Sequence, residues 1–300
     1  MPDFDLSVTI CSWNTREDLR ACLASLRDCK GEASFETIVV ENNSQDGSGE
    51  MVSREFPEVR LLQQSKNLGF TGGHNLATRE RRGMHVALLN SDTVVHQGAI
   101  ATLLAYFAAH PQAGIIGPKL LNPDGSLQYS CRHFPNPLAA AFRNTLLGKL
   151  FPNNRFTREY LMTDSPHCVD REVDWLSGAA MFIRKEVVDN VGVLDEDLFM
   201  FCEDVDLCKR AWEAGFKVAY VPTAVVTHAI GRSTDKAPNR MILRFHRSMF
   251  RYYLKHNVQD APLAQRPFLV AFAFTALTIR ASIFLMKNLV VRVLRGGRTK

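Results

Sequence analysis

The segment Phe199-Met-Phe-Cys-Glu-Asp-Val-Asp-Leu-Cys-Lys-Arg210 puts three carboxylates, Glu203, Asp204 and Asp206, directly behind an apolar run. The helix macrodipole favours acids in a first turn, and Asp206 to Arg210 is an i, i+4 ion-pair spacing. That accounts for Asp206. It does not account for two adjacent carboxylates after an apolar run, where desolvation is costly. A carboxylate in such a place suits a general base that takes a proton from a hydroxyl. A helix N-terminus lowers a carboxylate pKa, so burial has to offset it if Asp204 is that base.

A second polar cluster, Asn90-Ser91-Asp92, ends the apolar run Val86-Ala-Leu-Leu89. A carboxylate there can hold Mg²⁺ or Mn²⁺ against a diphosphate. Mg²⁺ commonly takes one or two protein carboxylates and fills its octahedron with phosphate oxygens and water. The same residue types also make ordinary turns after strands. His228 closes the run Ala224-Val-Val-Thr227, where a histidine is either a ligand or a structural residue. Gly69-Phe-Thr-Gly-Gly-His-Asn75 offers flexible backbone near a helix start, which suits phosphate approach. It is not a dinucleotide fingerprint, and the chain has no GxxxxGK[ST] loop. Trp175-Leu-Ser-Gly-Ala-Ala180 reads equally well as a core strand.

The first half alternates β-rich runs with helical patterns. Strands are expected at 6–12, 35–40, 59–63 and 83–89, the second ending at Glu41-Asn42-Asn43-Ser44. Between them, Thr15 can cap a helix with Asp18 as its acidic partner, and Leu19, Cys22, Leu23 and Leu26 share one face. Strands separated by helices imply parallel βαβ units, whose ligands lie beyond the carboxyl ends of the strands. Both polar clusters land on that edge. From 122 to 170 the periodicity weakens into a long connection with short helices, a kind of segment that is often functional. Order returns at 173–183, with a helix over 203–214 closed by Gly215, strands at 217–221 and 224–227, and a basic helix over 240–256.

Three hundred residues, 46% hydrophobic and 22% charged, exclude a disordered chain and suit one large α/β domain with a small appendage. The net charge of +5 is unevenly spread. No acid follows Asp260, whereas Arg266, Arg280, Lys287, Arg292, Arg295, Arg298 and Lys300 do, and removing those seven positives leaves the rest at −2. Residues 1–256 therefore form the expected domain and 257–300 a basic helical tail. Its apolar run of about a dozen residues falls short of the roughly 20 needed to span a bilayer. A helix packed on the domain, an amphipathic helix on the membrane surface and a span all stay open, with Arg280 and Lys287 able to snorkel. Seven cysteines without a CxxC pair, and no basic-apolar leader at the N-terminus, point to reduced thiols and a cytoplasmic site.

Taken in order, these segments resemble the inverting family 2 glycosyltransferases of the GT-A fold, closest to bacterial rhamnosyltransferase-like members. The matching pieces are 8–14, 38–44 with Asp46-Gly-Ser48, 67–75, 88–92, 174–179, 194–210 and His228, which together span residues 6 to about 256. The resemblance implies a mostly parallel central sheet flanked by helices. It implies a dTDP- or UDP-sugar donor, with Thr9 and Glu41 on the base or ribose and Asn14, Asn43, Asn67, Asn75, Asn90 and Ser91 lining the donor pocket. Asp92 would match the last acid of the family's DxD motif and hold the metal with His228. Asp204 would be the catalytic base with Glu203 beside it, and Trp175 and Gly178 would lie where the acceptor docks. Two positions depart from the pattern: Asn90 replaces the first acid of DxD, and Glu41 stands where an Asp is usual.

The expected reaction is a single inverting displacement by a hydroxyl of a lipid-linked or polysaccharide acceptor, in cell-surface glycan synthesis at the inner face of the membrane. A catalytically silent sugar-nucleotide-binding scaffold is the alternative, to which Asn90 lends weight. A membrane surface or lipid-diphosphate acceptor explains the basic segments better than nucleic acid does.

Overall fold

The computed structural model describes residues 2–143, 145–229 and 238–296. Strands β1 (Phe4–Ser12), β2 (Phe35–Glu41), β3 (Arg60–Gln63) and β4 (Gly83–Asn90) run parallel, joined by α1 (Arg16–Asp28), α2 (Ser48–Glu55) and α3 (Gly69–Arg79). Next come β5 (Thr93–Val95), α4 (Ala99–Ala109) and β6 (Ala113–Leu121). The expected long connection contains β7 (Leu127–Gln128), β8 (Cys131–Arg132), α5 (Pro137–Phe142), α6 (Leu146–Leu150), α7 (Arg155–Leu161), β9 (Arg171–Glu172) and β10 (Trp175–Leu176). The chain returns as β11 (Ala180–Ile183), antiparallel between β4 and β6. After α8 (Lys185–Asn190) and α9 (Glu203–Glu213), β12 (Lys217–His228) pairs parallel to β6. The sheet order is β3-β2-β1-β4-β11-β6-β12-β5. Helices α10 (Pro238–Tyr253) and α11 (Arg266–Gly296) complete the fold.

Both faces of the sheet are covered, which is why its strands read as apolar runs. In β1, Leu6, Val8 and Ile10 face a core shared with α1, α2 and α4. Ser7 and Thr9 face the other way with no exposed surface, and bond instead to Glu36 (2.6 Å) and His74 (2.8 Å). On that second face Val86, Leu88, Met181 and Tyr220 pack against Val205, Leu207 and Cys208 of α9. The two strands expected at 217–221 and 224–227 are one strand, irregular between Val221 and Val225.

Thr15 precedes α1 as expected, but its side chain does not cap it. The Arg16 N–H donates to Asp46 Oδ2 (2.9 Å), and Asp46 Oδ1 accepts from the Ser48 N–H (3.1 Å) at the start of α2. One carboxylate thus serves the starts of two helices. Thr15 Oγ1 instead lies between the hydroxyls of Ser12 (3.0 Å) and Ser91 (2.8 Å). The glycine-rich start of α3 is likewise a packing device rather than a phosphate loop. Gly69 has φ +77 against the Phe199 ring, and a Cβ on Gly73 would come within 2.4 Å of Cys11 Sγ.

The tail helix corrects the sequence reading of a short apolar run. Arg266–Val290 is 25 residues long and apolar enough to cross a membrane, with 11% of its apolar window buried. At 1.5 Å per residue that is about 37 Å, against a hydrocarbon core of about 30 Å. Most of that window is exposed, while one side of the helix packs along α10. Ala273 and Ala281 turn inward, while Phe268, Phe272 and Ile283 face out. Arg280 does not snorkel, because it points at the protein, toward Met249 and the Arg143 carbonyl. Arg298 and Lys300 of the basic tail lie outside the described residues.

Asp206 ties the C-terminal segment to α9. With no exposed surface, it bonds Arg210 (2.8 Å) in its own helix. It also meets Lys255 (2.9 Å) and His256 (2.7 Å), which a π-helical turn at Leu254–Val258 delivers. Burial raises its pKa, but the His256 hydrogen bond and the Arg210 and Lys255 charges outweigh that and hold the carboxyl at about 2. Asp206→Asn leaves buried cations short of a partner and should cost about 3–5 kcal/mol, read as a lower urea midpoint. A depressed folded pKa contributes stability above the unfolded value of about 3.9 and loses it as pH falls through the folded one. The wild-type advantage over D206N should therefore shrink below about pH 4, and a pH-independent difference would contradict the assignment.

Candidate active site

The carboxyl ends of β1, β2, β4 and β12 open on one edge of the sheet. β5 and the end of β12 pair His228 with Thr93, which brings Asp92 and His228 together from 136 residues apart in sequence. Asp92 Oδ1 lies 3.3 Å from His228 Nε2, and both side chains are about a tenth exposed. Asn90 Nδ2 lies 3.1 Å from the same nitrogen. Gln128 fixes the imidazole from behind. Its Nδ2-equivalent amide nitrogen, Nε2, donates to Asn122 Oδ1 (2.9 Å) and the His228 carbonyl (3.1 Å), so Oε1 faces His228 Nδ1 (2.7 Å) and accepts its proton. With Nδ1 engaged by Gln128, the ring turns Nε2 toward the Asp92 carboxylate. Two electron-rich donors in contact suit a divalent cation. Two protein ligands leave coordination sites for diphosphate oxygens and water.

Glu203 and Asp204 have different environments although they are neighbours. Phe201 (φ 71) and Cys202 (φ 65) are both left-handed, a strained entry to α9. Asp204 Oδ2 accepts the Gly178 N–H (3.0 Å) and Oδ1 the Val205 N–H (2.8 Å). Burial raises its pKa, opposed by those two N–H groups and by the Arg132 charge. Glu203 has only its own backbone N–H in support. It is 6% exposed, and its Oε2 has no hydrogen-bond partner. Burial first, then the Asp204 charge, pushes its pKa well above the ordinary value. Burial thus raises both carboxyls, Glu203 further than Asp204, and works against the lowering expected at a helix N-terminus.

The base and the Asp92–His228 pair are joined through a short hydrogen-bonded path. Gly178 N–H reaches Asp204, the Ala179 carbonyl accepts the Asn90 N–H (2.9 Å), and Asn90 reaches His228. Asn90 and Gly178 are therefore hinge points of the site whatever else they contact.

At the donor side, Glu41 Oε1 accepts the Ser44 N–H (2.7 Å). Asn14, itself left-handed (φ 54), is tied to the same turn through Ser44 (2.9 Å) and Gln45 (2.7 Å). Asn43 (φ 60) and Asn67 are exposed on the loops beyond β2 and before α3. Ser91 is anchored through Thr15.

Three expected contacts require correction. Thr9 lies mid-strand, three residues short of the carboxyl end of β1, with its hydroxyl engaged by His74 and the Ala87 carbonyl. Its side chain is not available to a base or ribose. Asn75 is buried and clamps α3 to the Leu194 N–H and C=O, so its amide is engaged by the protein rather than open to a donor. Trp175 is 5% exposed in the second core, its indole N–H donating to the His133 carbonyl (2.8 Å), and it presents no face to an acceptor.

Asn42, Gln128 and Arg132 are site residues that the sequence reading did not single out. Asn42 Nδ2 staples the end of β2 to β1 through Cys11 Sγ (2.8 Å) and to α3 through the Gly69 carbonyl (3.1 Å). Gln128 is 100 residues from the histidine it orients, and no local pattern marks it.

The profile of the family described as "Glycosyltransferase like family 2" matches residues 2–246. The chain is 31% identical over 256 residues to the N-acetylglucosaminyl-diphospho-decaprenol L-rhamnosyltransferase of Mycobacterium tuberculosis, covering 82% of each. It is 27% identical to the rhamnosyltransferase WbbL of Escherichia coli K12, covering 76% of this chain and 91% of that one. Among solved structures it is similar in fold to the mannosyltransferase PcManGT from Pyrobaculum calidifontis, in complex with GDP-Man and Mn²⁺. The TM-score there is 0.56 at 16% identity, over 98% of this chain and 79% of that one. With that profile over most of its length and a mixed sheet of the GT-A type, this chain belongs to the family 2 glycosyltransferases.

Proposed function

We propose that the chain transfers a sugar, with inversion, from a nucleotide-diphospho-sugar to a hydroxyl of a lipid-linked or glycan acceptor at the cytoplasmic face of a membrane. Rhamnose is the favoured sugar and dTDP the favoured carrier, on the likeness to rhamnosyltransferases. The path Asp204–Gly178–Ala179–Asn90–His228 carries this reading, because it holds a base and a cation pair in fixed relation on one edge.

Asp204 accepts the proton of the acceptor hydroxyl as that oxygen attacks the anomeric carbon from the face opposite the diphosphate. Glu203, neutral, keeps a second negative charge away from the attacking oxygen. Asp92 and His228 would hold Mg²⁺ or Mn²⁺, which when bound neutralises charge developing on the leaving diphosphate. Gln128 keeps the His228 lone pair turned toward that position. The outward apolar face of α11 rests on the bilayer, which places the site beside a membrane-anchored acceptor.

Asn90, in place of the first acid of the DxD motif, favours the scaffold alternative. Metal-dependent release of nucleoside diphosphate from a panel of dTDP-, UDP- and GDP-sugars separates the two, and a protein that binds donor but never turns it over is the scaffold. Asp204→Asn should lower turnover by roughly 10²–10⁴-fold with donor binding unchanged. Glu203→Gln, an isostere of a neutral acid, should keep more than about a tenth of it. Equal losses in the two variants would show that the roles are misassigned.

Because burial raises the Asp204 carboxyl, activity should appear with rising pH only above the ordinary aspartate value of about 3.9. An acidic limb of kcat/KM at or below that value would contradict a buried base. Asn90→Asp adds a carboxylate beside Asp92 and should lower the Mn²⁺ concentration for half-maximal activity by about tenfold. An unchanged Mn²⁺ requirement would place the cation elsewhere.

A further inference from the structure

Three arginines from distant parts of the chain converge between α11 and the catalytic base. Arg132 is on β8, Arg143 follows α5 and Arg280 lies midway along α11. Arg132 lies over the Trp175 ring (4.7 Å), and its charge reaches Asp204. Arg143 lies over the Tyr160 ring (5.3 Å) and donates to its hydroxyl (3.3 Å), while the Tyr160 and Trp175 rings are 6.4 Å apart. Arg280 donates to the Arg143 carbonyl (3.4 Å) and to the Met249 sulfur (3.6 Å). The order Arg280, Arg143, Tyr160, Trp175, Arg132, Asp204 is a continuous track from the tail helix to the base.

These guanidiniums are partly buried and unneutralised. Their hydrogen bonds go to carbonyls, a phenol and a thioether, and among the described residues none has a carboxylate at ion-pair distance. Arg132 Nε and Arg280 Nε are buried without a hydrogen-bond partner. Burial, then the nearby Arg132 charge, lowers the pKa of Arg143. A fold does not gather like charges in a half-dry place unless an anion completes them. The surroundings are apolar: Ile279 and Ile283 beside Arg280 are 56% and 59% exposed, and Phe151, whose ring meets Phe142 next to Arg143, is 58% exposed.

We infer that Arg132, Arg143 and Arg280 form a binding site for the diphosphate of a lipid-anchored acceptor, with its apolar chain along α11 and its sugar hydroxyl at Asp204. The inference deepens the proposed transferase function and rests on it. Planar guanidiniums bind phosphate oxygens in pairs, and three of them match a diphosphate better than a lone phosphate. The apolar rim supplies what a soluble nucleotide would not need.

Full-length protein in detergent micelles, titrated with farnesyl diphosphate, farnesol and inorganic pyrophosphate, tests this through tryptophan emission. Farnesyl diphosphate should bind at least roughly tenfold tighter than farnesol. Arg143→Gln and Arg280→Gln should each weaken it by about tenfold, with farnesol unaffected. Arg143→Lys, which keeps the charge, should recover part of the loss and guards against a folding defect. Arg54→Gln, on the far surface of α2, should change nothing. Equal binding of farnesol and farnesyl diphosphate, or unchanged affinity in both glutamine variants, overturns the site. So does a loss seen only on phosphatidylglycerol vesicles relative to phosphatidylcholine, which would assign the arginines to bulk headgroups. Donor-nucleotide binding with Mn²⁺ in the same preparations keeps the two inferences apart. Its presence beside a negative farnesyl result sinks this site alone, and its absence from the wild type sinks the transferase reading.

Discussion

A carboxylate with no exposed surface must be matched by cations at hydrogen-bond distance or give up its charge. Asp206 is in that position, and the arrangement of its partners organises the C-terminal half of the molecule. Arg210 reaches it from the next turn of α9 and continues to the Val191 and Val193 carbonyls, fixing the loop after α8. Lys255 and His256 reach it from the far end of α10, and Lys255 also holds Asp195. The helix that begins with the catalytic acids is thereby locked from both sides. Asp204, two residues earlier on the same helix, inherits its position from a residue that takes no part in the chemistry.

The first turn of α9 shows how environment divides the work among like residues. Asp206 is matched by cations, Asp204 is supported by two backbone N–H groups, and Glu203 has only its own N–H. Three acids within four positions therefore sit in three different environments. Composition alone gives them one description. The left-handed pair Phe201 and Cys202 turns the chain so that these faces separate.

The parts of the fold that sequence revealed are those where one physical requirement acts locally. Strands buried on both faces leave apolar runs, so β1 to β4 and their polar ends were legible, as was α9 closed by Gly215. The pairing of Asp92 with His228 came from the family resemblance, and the strand ends that carry them bring the two to 3.3 Å. What sequence did not reveal depends on partners far away. Thr9 looks like any strand-end hydroxyl until its register shows it buried three residues too early. Asp46 serves two helices from a loop, and Gln128 orients a histidine 100 residues on. The length of α11 was misjudged because Arg280 counted against an apolar run. In the fold, that arginine is turned onto the protein and interrupts nothing.

β11 enters the sheet antiparallel between β4 and β6, and it is the return point of the excursion that begins after β6. Everything from residue 122 to 179 hangs between two fixed strands. It lies beside a donor half whose registers run from β1 to β4 without it. Insertions or exchanges within that excursion leave the parallel strands and their polar ends untouched, provided that Gln128 and the Gly178–Ala179 backbone keep their places. The architecture is thus separable in descent. A lineage can rewrite this one contiguous stretch of gene while the registers of the parallel strands are inherited whole.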